Sequence, residues 1–333
     1  MSNETLGTSV ALDALDRRLL YELDQNARQH FSELARTVRQ GRDRVEYRVN
    51  RLFDLGVIRG TTVVVDLIKL GFGIYKTYLK IQNQRREVER FLKYLRAHPR
   101  VFWIAVCDGN CDLTISIAAR SPIEFYQIQS EIFSEYSDII IDFYVTTLAG
   151  VWAYRKKYLY KPGTRFFFVG GEPGNLQLDP LSYKILQLLT QNARTTVNEI
   201  ADKTRSTPAI VKNRIERLEE QKVILGYRLE IDRGKIGYAF WKAQLVLRSH
   251  RLADLEMLKS YCNSHPNITY LVQQVGTYKI ELELEVSSYG KYFEIIDDLR
   301  ERFAHLIRNV EMMLIKDEYY KWLPISQVVG TGS

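Results

Sequence analysis

The decapeptide LLYELDQNAR (Leu19–Arg28) returns as ILQLLTQNAR (Ile185–Arg194), at an offset of 166 positions. Self-similarity at a fixed offset is the strongest constraint a single chain can display, because both copies must adopt one architecture. The register persists. Phe31-Ser32-Glu33-Leu34-Ala35 falls on Val197-Asn198-Glu199-Ile200-Ala201, Val49-Asn50-Arg51-Leu52 on Ile215-Glu216-Arg217-Leu218, and Asp66 on Asp232. Further on, His98-Pro99 matches His265-Pro266 and Gly109 matches Gly276, one residue out of step. A chain of 333 residues is therefore two copies of a unit of domain size. The content of 46% hydrophobic and 26% charged residues supports ordinary packed cores and excludes a disordered or collagenous chain. Three cysteines are too few for a disulfide scaffold and suit a reducing cytosol. The N-terminus has neither the basic head nor the apolar run of a signal peptide, and no uncharged apolar stretch is long enough to span a bilayer. A cytoplasmic protein without a membrane association is expected.

Each unit divides in two. Its first part has helical periodicity: Leu12, Leu15, Leu19, Leu20 and Leu23 share a face, as do Leu178, Leu181, Ile185, Leu188 and Leu189. Asp13, Asp16 and Asp179-Pro180 read as N-terminal caps. A short helix follows, with Ser32 and Asn198 as its expected caps. A longer helix spans Arg42 to Asp54 and Pro208 to Glu220, and Gly60 to Asp66 reads as a small wing. The second part alternates as strand, helix, strand, strand, helix, strand, which is the ferredoxin-like order. The expected class is α+β, with two copies of a winged helix-turn-helix followed by a ferredoxin-like domain. The expected boundaries are 10–66 and 67–155 for the first unit and 176–232 and 233–324 for the second. Residues 156–175 form a hairpin turning at Pro162-Gly163 and a linker, and 325–333 a flexible tail.

Two short helices with a basic second member fit a helix-turn-helix, whose second helix can enter a major groove. Arg39, Arg42, Arg44, Arg48 and Arg51 crowd the first copy, and Arg205, Lys212, Arg214 and Arg217 the second. Such residues neutralise phosphates, and arginine also reads guanine edges. The net charge of +7 points the same way. Arg48 and Arg214 precede the core residues Val49 and Ile215, so each can instead pair with an acidic neighbour. The second part offers no catalytic set. His98 and His265 stand before prolines at helix-to-strand corners, positions that suit capping or packing. Cys107 and Cys111 have no partner ligands, since their counterparts are Gln274 and Tyr278. No phosphate-binding loop, dinucleotide fingerprint or nucleophile elbow occurs, and no metal or cofactor is expected. The face of each sheet not covered by helices is expected to be apolar, and the two faces to pair within the chain or between two chains.

The ordered motifs Leu12-Asp13-Ala14-Leu15-Asp16, Asn26-Ala27-Arg28 and Val45, Arg48, Val49, Leu52, with their copies Leu178-Asp179, Asn192-Ala193-Arg194 and Val211, Arg214, Ile215, Leu218, resemble the Lrp/AsnC family of transcription regulators. The likeness covers residues 12–148 and 178–323. It implies a DNA-binding helix-turn-helix joined to a ligand-sensing domain, with duplex DNA and a small molecule such as an amino acid as partners. It also implies pseudo-dimer or homodimer formation through the sensor sheets. The effector site would lie at the turns carrying Gly109 and Asp112, and Gly276 and Lys279. Ser182 departs from the family's second aspartate, Gly41-Arg42-Asp43 from its Ser-Pro helix start, and Lys279 from the aspartate kept as Asp112. A protein-interaction or architectural module with degenerate helix-turn-helix domains is the alternative. Fused siroheme decarboxylases resemble the same two-domain unit, but Phe102–Ile117 and Tyr270–Leu284 contain no histidine or arginine to act as proton donor or propionate clamp.

Overall fold

The computed structural model describes residues 9–161 and 166–320. The proposed hairpin tip at Pro162-Gly163 and the tail after Tyr320 lie outside the described residues. Each copy opens with three helices, α1 (Ala14–Gln25), α2 (Phe31–Val38) and α3 (Arg42–Asp54) in the first copy. Their counterparts are α6 (Pro180–Gln191), α7 (Val197–Thr204) and α8 (Pro208–Glu220) in the second. Asp13 and Asp16 cap α1 reciprocally, and Asp179 and Thr207 cap α6 and α8 with proline next in line. The short helices start two residues earlier than Ser32 and Asn198 would set. Thr196 and Glu199 form the capping box of α7, whereas His30 precedes α2 without a side-chain cap.

The wing strands of the two copies, β1 (Ile58–Val65) and β7 (Ile224–Ile231), share one ladder. They pair antiparallel with each other, Thr62 opposite Arg228. A lone strand leaves its backbone groups unpaired, and each copy supplies the other's partner. The Asn-Ala-Arg copies close the same junction. Ala27 N donates to Tyr227 O (3.0 Å) and Ala193 N to Thr61 O (3.1 Å). Arg28 Nη1 donates to the carbonyls of Ala193 (2.6 Å) and Thr195 (2.8 Å), while Arg194 Nη1 donates to those of Ala27 (2.7 Å) and Gln29 (3.2 Å).

The expectation of two ferredoxin-like sensor domains is overturned. The first copy contributes β2 (Gly73–Ile81), α4 (Arg85–Ala97), β3 (Val101–Gly109), β4 (Leu113–Ala119), α5 (Pro122–Tyr136) and β5 (Ile140–Tyr154). After β6 (Phe166–Gly170), the second contributes β8 (Ala239–Leu247), α9 (Leu252–Ser264), β9 (Ile268–Gly276), β10 (Ile280–Val286), α10 (Tyr289–Arg302) and β11 (Ile307–Tyr320). The strands run in the order β2-β4-β3-β11-β8-β10-β9-β5, and β5 also pairs with β2, so eight strands close into one barrel with β6 added outside β5. The last strand of each copy causes the closure. β5 has 15 residues and β11 has 14, too long for one partner each. β5 pairs first with β2 and then, from Thr146, with β9; β11 pairs first with β8 and then, from Met313, with β3. Closure removes the edges that two separate sheets would expose.

Glycine permits both seams. Gly109 has φ +135°, and a Cβ there would stand 2.4 Å from Met312 O; Gly276 has φ +146° and faces Thr146 Cγ2 at 2.8 Å. Alternate strand residues sort into two environments. Trp241, Ala243, Leu245, Ile280, Leu282 and Leu284 pack outward beneath α9 and α10, and Leu113, Ile115 and Ile117 beneath α4 and α5. The opposite face is the barrel interior. It was expected to be apolar, and it is polar and charged.

Candidate functional site

The helix-turn-helix residues fall into two groups. Arg48 is turned back onto α1, its Nη2 2.8 Å from Asp13 Oδ2 and its Nη1 3.0 Å from the buried Asp16 Oδ1. Arg51 Nη1 stands 3.5 Å from Asp16 Oδ2, and in the second copy Arg214 Nη1 meets Asp179 Oδ2 at 3.0 Å. The Asp16 amide, joined by Arg48, holds the Asp13 carboxyl below its usual range. For Asp179 burial acts upward, but the Ser182 hydrogen bonds and Arg214 outweigh it and lower the pKa. These arginines hold the recognition helix against the first helix. Arg42 and Lys212 are exposed and lean on Glu46 (3.4 Å) and Glu216 (3.8 Å) along their own helices. Arg39, Arg44, Arg205 and Arg217 are exposed without an ion pair among the described residues. Arg39 and Arg205 occupy equivalent left-handed turn positions, at φ 57° and 54°.

Beside these lie two exposed apolar side chains that charge counting missed, Tyr47 at 67% and Ile210 at 47% exposure. On a core-packed helix they mark the face left for a partner, and an apolar group there can meet a thymine methyl.

The barrel interior was not legible as a site. Glu281, fully buried, accepts from Lys76 Nζ (2.7 Å), Lys242 Nζ (2.9 Å), Tyr78 OH (2.8 Å) and Gln244 Nε2 (3.3 Å). Lys242 also bonds Glu283 at 2.7 Å and lies 4.5 Å from the centre of the Trp103 ring. Burial would raise the Glu281 pKa, but the ammoniums of Lys242 and Lys76 outweigh it and hold the carboxyl well below its ordinary value. Nearer the helical heads, Glu285 receives Lys156 Nζ (2.5 Å), Arg233 Nε (2.7 Å) and Tyr158 OH; Lys156 and Arg233 overcome the effect of burial and pull it down to about 2. Arg233 also donates to Glu318 Oε1 at 2.5 Å.

The candidate effector turns close the barrel. Gly109 and Gly276 form the seams, and the neighbouring Asn110 donates to Gln244 Oε1 (2.5 Å) and Glu311 Oε2 (3.1 Å), while Tyr278 OH donates to Glu311. Asp112 accepts from Lys80 Nζ and Ile81 N, both at 3.0 Å, and Lys279 is exposed. Cys107 and Cys111 are buried inside and share Thr114 Oγ1, at 3.6 and 3.5 Å. No cluster of three or more metal-ligating side chains occurs among the described residues. His98 Nδ1 accepts from Arg100 N and His265 Nδ1 from Asn267 N, which caps both corners.

A paired set of three-helix heads on one ladder, with basic and apolar residues on the outer face of each third helix, defines a winged helix-turn-helix regulator. The chain matches an AsnC-type helix-turn-helix domain over residues 12–52 and a winged helix-turn-helix DNA-binding domain over residues 178–224. It is 30% identical over 123 residues to the proline dehydrogenase transcriptional activator of Rhodobacter capsulatus, spanning 36% of this chain and 79% of that protein. It is 31% identical over 130 residues to the HTH-type transcriptional regulator AldR of Mycolicibacterium smegmatis, spanning 38% and 76%. The chain belongs to the Lrp/AsnC family of transcription regulators, and carries its unit twice. That family identity points to a regulator rather than an enzyme. The siroheme decarboxylase NirDL shares the whole-chain fold, with a TM-score of 0.62 over 93% of both chains, at only 14% identity. No described helix is long and apolar enough to cross a membrane.

Proposed function

We propose that this chain is a sequence-specific regulator that binds duplex DNA in the cytoplasm as one two-headed unit. The observation that supports this most directly is the common mounting of α3 and α8. One β1–β7 ladder fixes both heads, while Arg44, Tyr47 and Ile210 remain on their free faces and Arg217 lies beside Arg214 and Ser182 on the α6 side. Arg39, Arg42, Arg205 and Lys212 supply further phosphate contacts. Arg48, Arg51 and Arg214 serve mainly by holding the recognition helices at the angle the groove requires. In this reading 10–66 and 176–232 are the two heads, and the described residues of 67–155 and 233–324 share the barrel. A small polar effector acts at the Gly109–Asp112 and Gly276–Lys279 turns, whose inward neighbours reach the barrel network.

Fluorescence anisotropy on mixed-sequence duplex, followed by recovery of crosslinked genomic fragments, tests the reading. Arg44→Ala should lower affinity by about 3- to 30-fold with an unchanged melting temperature. Arg48→Ala should lower the melting temperature as well. Absence of duplex binding at low salt refutes the regulator reading and favours a protein-interaction module. Loss of stability in Arg44→Ala, or none in Arg48→Ala, refutes the division of roles.

A further inference from the structure

Between the two heads lies a cleft of about 370 Å³, lined by Arg28, His30, Arg194, Thr196, Val197 and Asn198. None of these six residues is acidic, although Glu199 stands behind them, its carboxylate accepting from Thr196 N (2.8 Å) and Oγ1 (2.9 Å). Arg28 and Arg194 are equivalent residues of the two copies, and each reaches across to the other head. Their side-chain hydrogen bonds use Nη1 only, and each guanidinium lies over a ring, Arg28 over Tyr227 and Arg194 over Phe31, while Nε and Nη2 meet no carboxylate among the described residues. The like charges are felt: burial first, and then the charge of Arg28, lower the Arg194 pKa. Two like charges held near each other beside an open cleft are stabilised by an anion. α2 and α7 start at this wall, with His30 and Thr196 as their N-caps, although at α7 the capping box already occupies the Thr196 and Glu199 N–H groups. Glu46 of α3 acts in the opposite sense, raising the Arg194 pKa, but less than burial and Arg28 lower it.

We propose that this cleft binds a backbone phosphate of duplex DNA at the centre of the operator, between the half-sites read by α3 and α8. The inference rests on the DNA-binding reading above and deepens it. Two heads reading successive major grooves stand about one helical turn apart, and the phosphates that cross between the grooves pass the junction of the heads. A phosphodiester oxygen there would accept from both arginines, a bidentate type of contact that positions the protein without reading sequence. The junction would therefore grip any sequence while the flanking helices choose among them.

Direct substitution of Arg28 or Arg194 would break the bonds that join the heads. The test therefore uses Asn198→Glu, which puts a carboxylate into the cleft from an exposed position in the first turn of α7, where acidic side chains favour the helix. Asn198→Gln is the control. On a mixed-sequence duplex, Asn198→Glu should weaken binding about tenfold at low salt and flatten the dependence of log K on log salt by about 0.9, the value for one phosphate. Asn198→Gln should bind like the parent. Parent-like affinity and slope in Asn198→Glu, while Arg44→Ala still weakens binding, overturn the cleft proposal and leave the regulator reading standing. A parent that fails to bind duplex overturns both. Inorganic phosphate, followed through the His30 ring resonances, separates the sources of the anion. Saturation by phosphate that Asn198→Glu abolishes, with duplex affinity unchanged, would assign the cleft to a small free anion and overturn the DNA assignment.

Discussion

Neutralising Glu281 should be the most damaging isosteric change in this chain. Glu281→Gln keeps shape and volume but removes the acid shared by Lys76 and Lys242, at 2.7 and 2.9 Å. Lys242 retains Glu283 at 2.7 Å, whereas Lys76 keeps no ion pair among the described residues. Removing one member of a buried ion pair costs about 3–5 kcal/mol, because the remaining charge is left desolvated. Against a net stability of about 5–15 kcal/mol, that is a third of the total or more. Urea denaturation at pH 7 measures it as a lowered midpoint with an unchanged slope. Adding Lys76→Met removes the stranded ammonium and should restore about 1–3 kcal/mol, as expected for directly coupled neighbours. The pH dependence carries a definite sign. The Glu281 pKa is lowered on folding, so its contribution is full above the unfolded value near ~4.3 and is lost as pH falls into the acid range. The parent should therefore lose more stability than Glu281→Gln on acidification. A single variant within ~1 kcal/mol of the parent, or a double variant no better than the single, would refute the account of the interior.

Gly109→Ala should open the β3–β11 seam at a cost of about 3 kcal/mol or more, since positive φ and a clash with the Met312 carbonyl act together. Gly276→Ala should cost less, because the backbone oxygen it meets, Val145 O, stands at 2.9 Å rather than 2.4 Å, and hydrogen exchange across β11 and β5 would locate each opening. His265 is pushed down to about 4, chiefly by burial and then by Lys291. It should stay neutral in NMR titration down to that pH. Its contribution to stability is present above the unfolded pKa near ~6.5 and lost as pH falls through 4.

The helical heads were largely legible in sequence because their signals are local: apolar residues at helical spacing, Asp13 and Asp179 as caps, and Thr207-Pro208 at the start of α8. The barrel was not, because closure depends on pairing between residues far apart in the chain. Nothing local says that β5 will leave β2 for β9. One clue was available. The second copy reads ELELEV from Glu281 to Val286, a strict alternation with one acidic face, and the same face of β8 carries Lys242. An acidic face matched by a buried lysine predicts a satisfied polar interior rather than an apolar sheet-to-sheet contact. The helix-turn-helix arginines show the complementary limit. Arg44 and Arg48 look alike in composition; the place of Arg48 before the core Val49 allows an acidic partner, and the position of Asp13 and Asp16 supplies it.

The divergence of the two copies follows from sharing one interior. Lys76 and Lys242 occupy equivalent positions, yet the counterparts of Glu281, Glu283 and Glu285 are Thr114, Ser116 and Ala118. Six acids in one barrel would repel each other, while none would strand two lysines, so a single acidic strand serves both copies. The first copy thus has a buried lysine whose acid belongs to the second, and the second has unfinished edges that β3 and β5 complete. The same asymmetry ties the heads to the barrel. Arg228, opposite Thr62 on the inter-head ladder, bonds Asp24 of α1 at 2.6 Å and Tyr270 of β9 at 2.8 Å, so one guanidinium holds both heads and the barrel wall. Arg233, just beyond β7, is bound in the interior by Glu285 and Glu318. A ligand at the Gly109–Asp112 turn would reach Gln244 and Glu281 through Asn110 first, and Glu285 and Glu318 beyond them. Arg233 would carry the displacement to β7, and β7 cannot shift without changing the relation of α8 to α3.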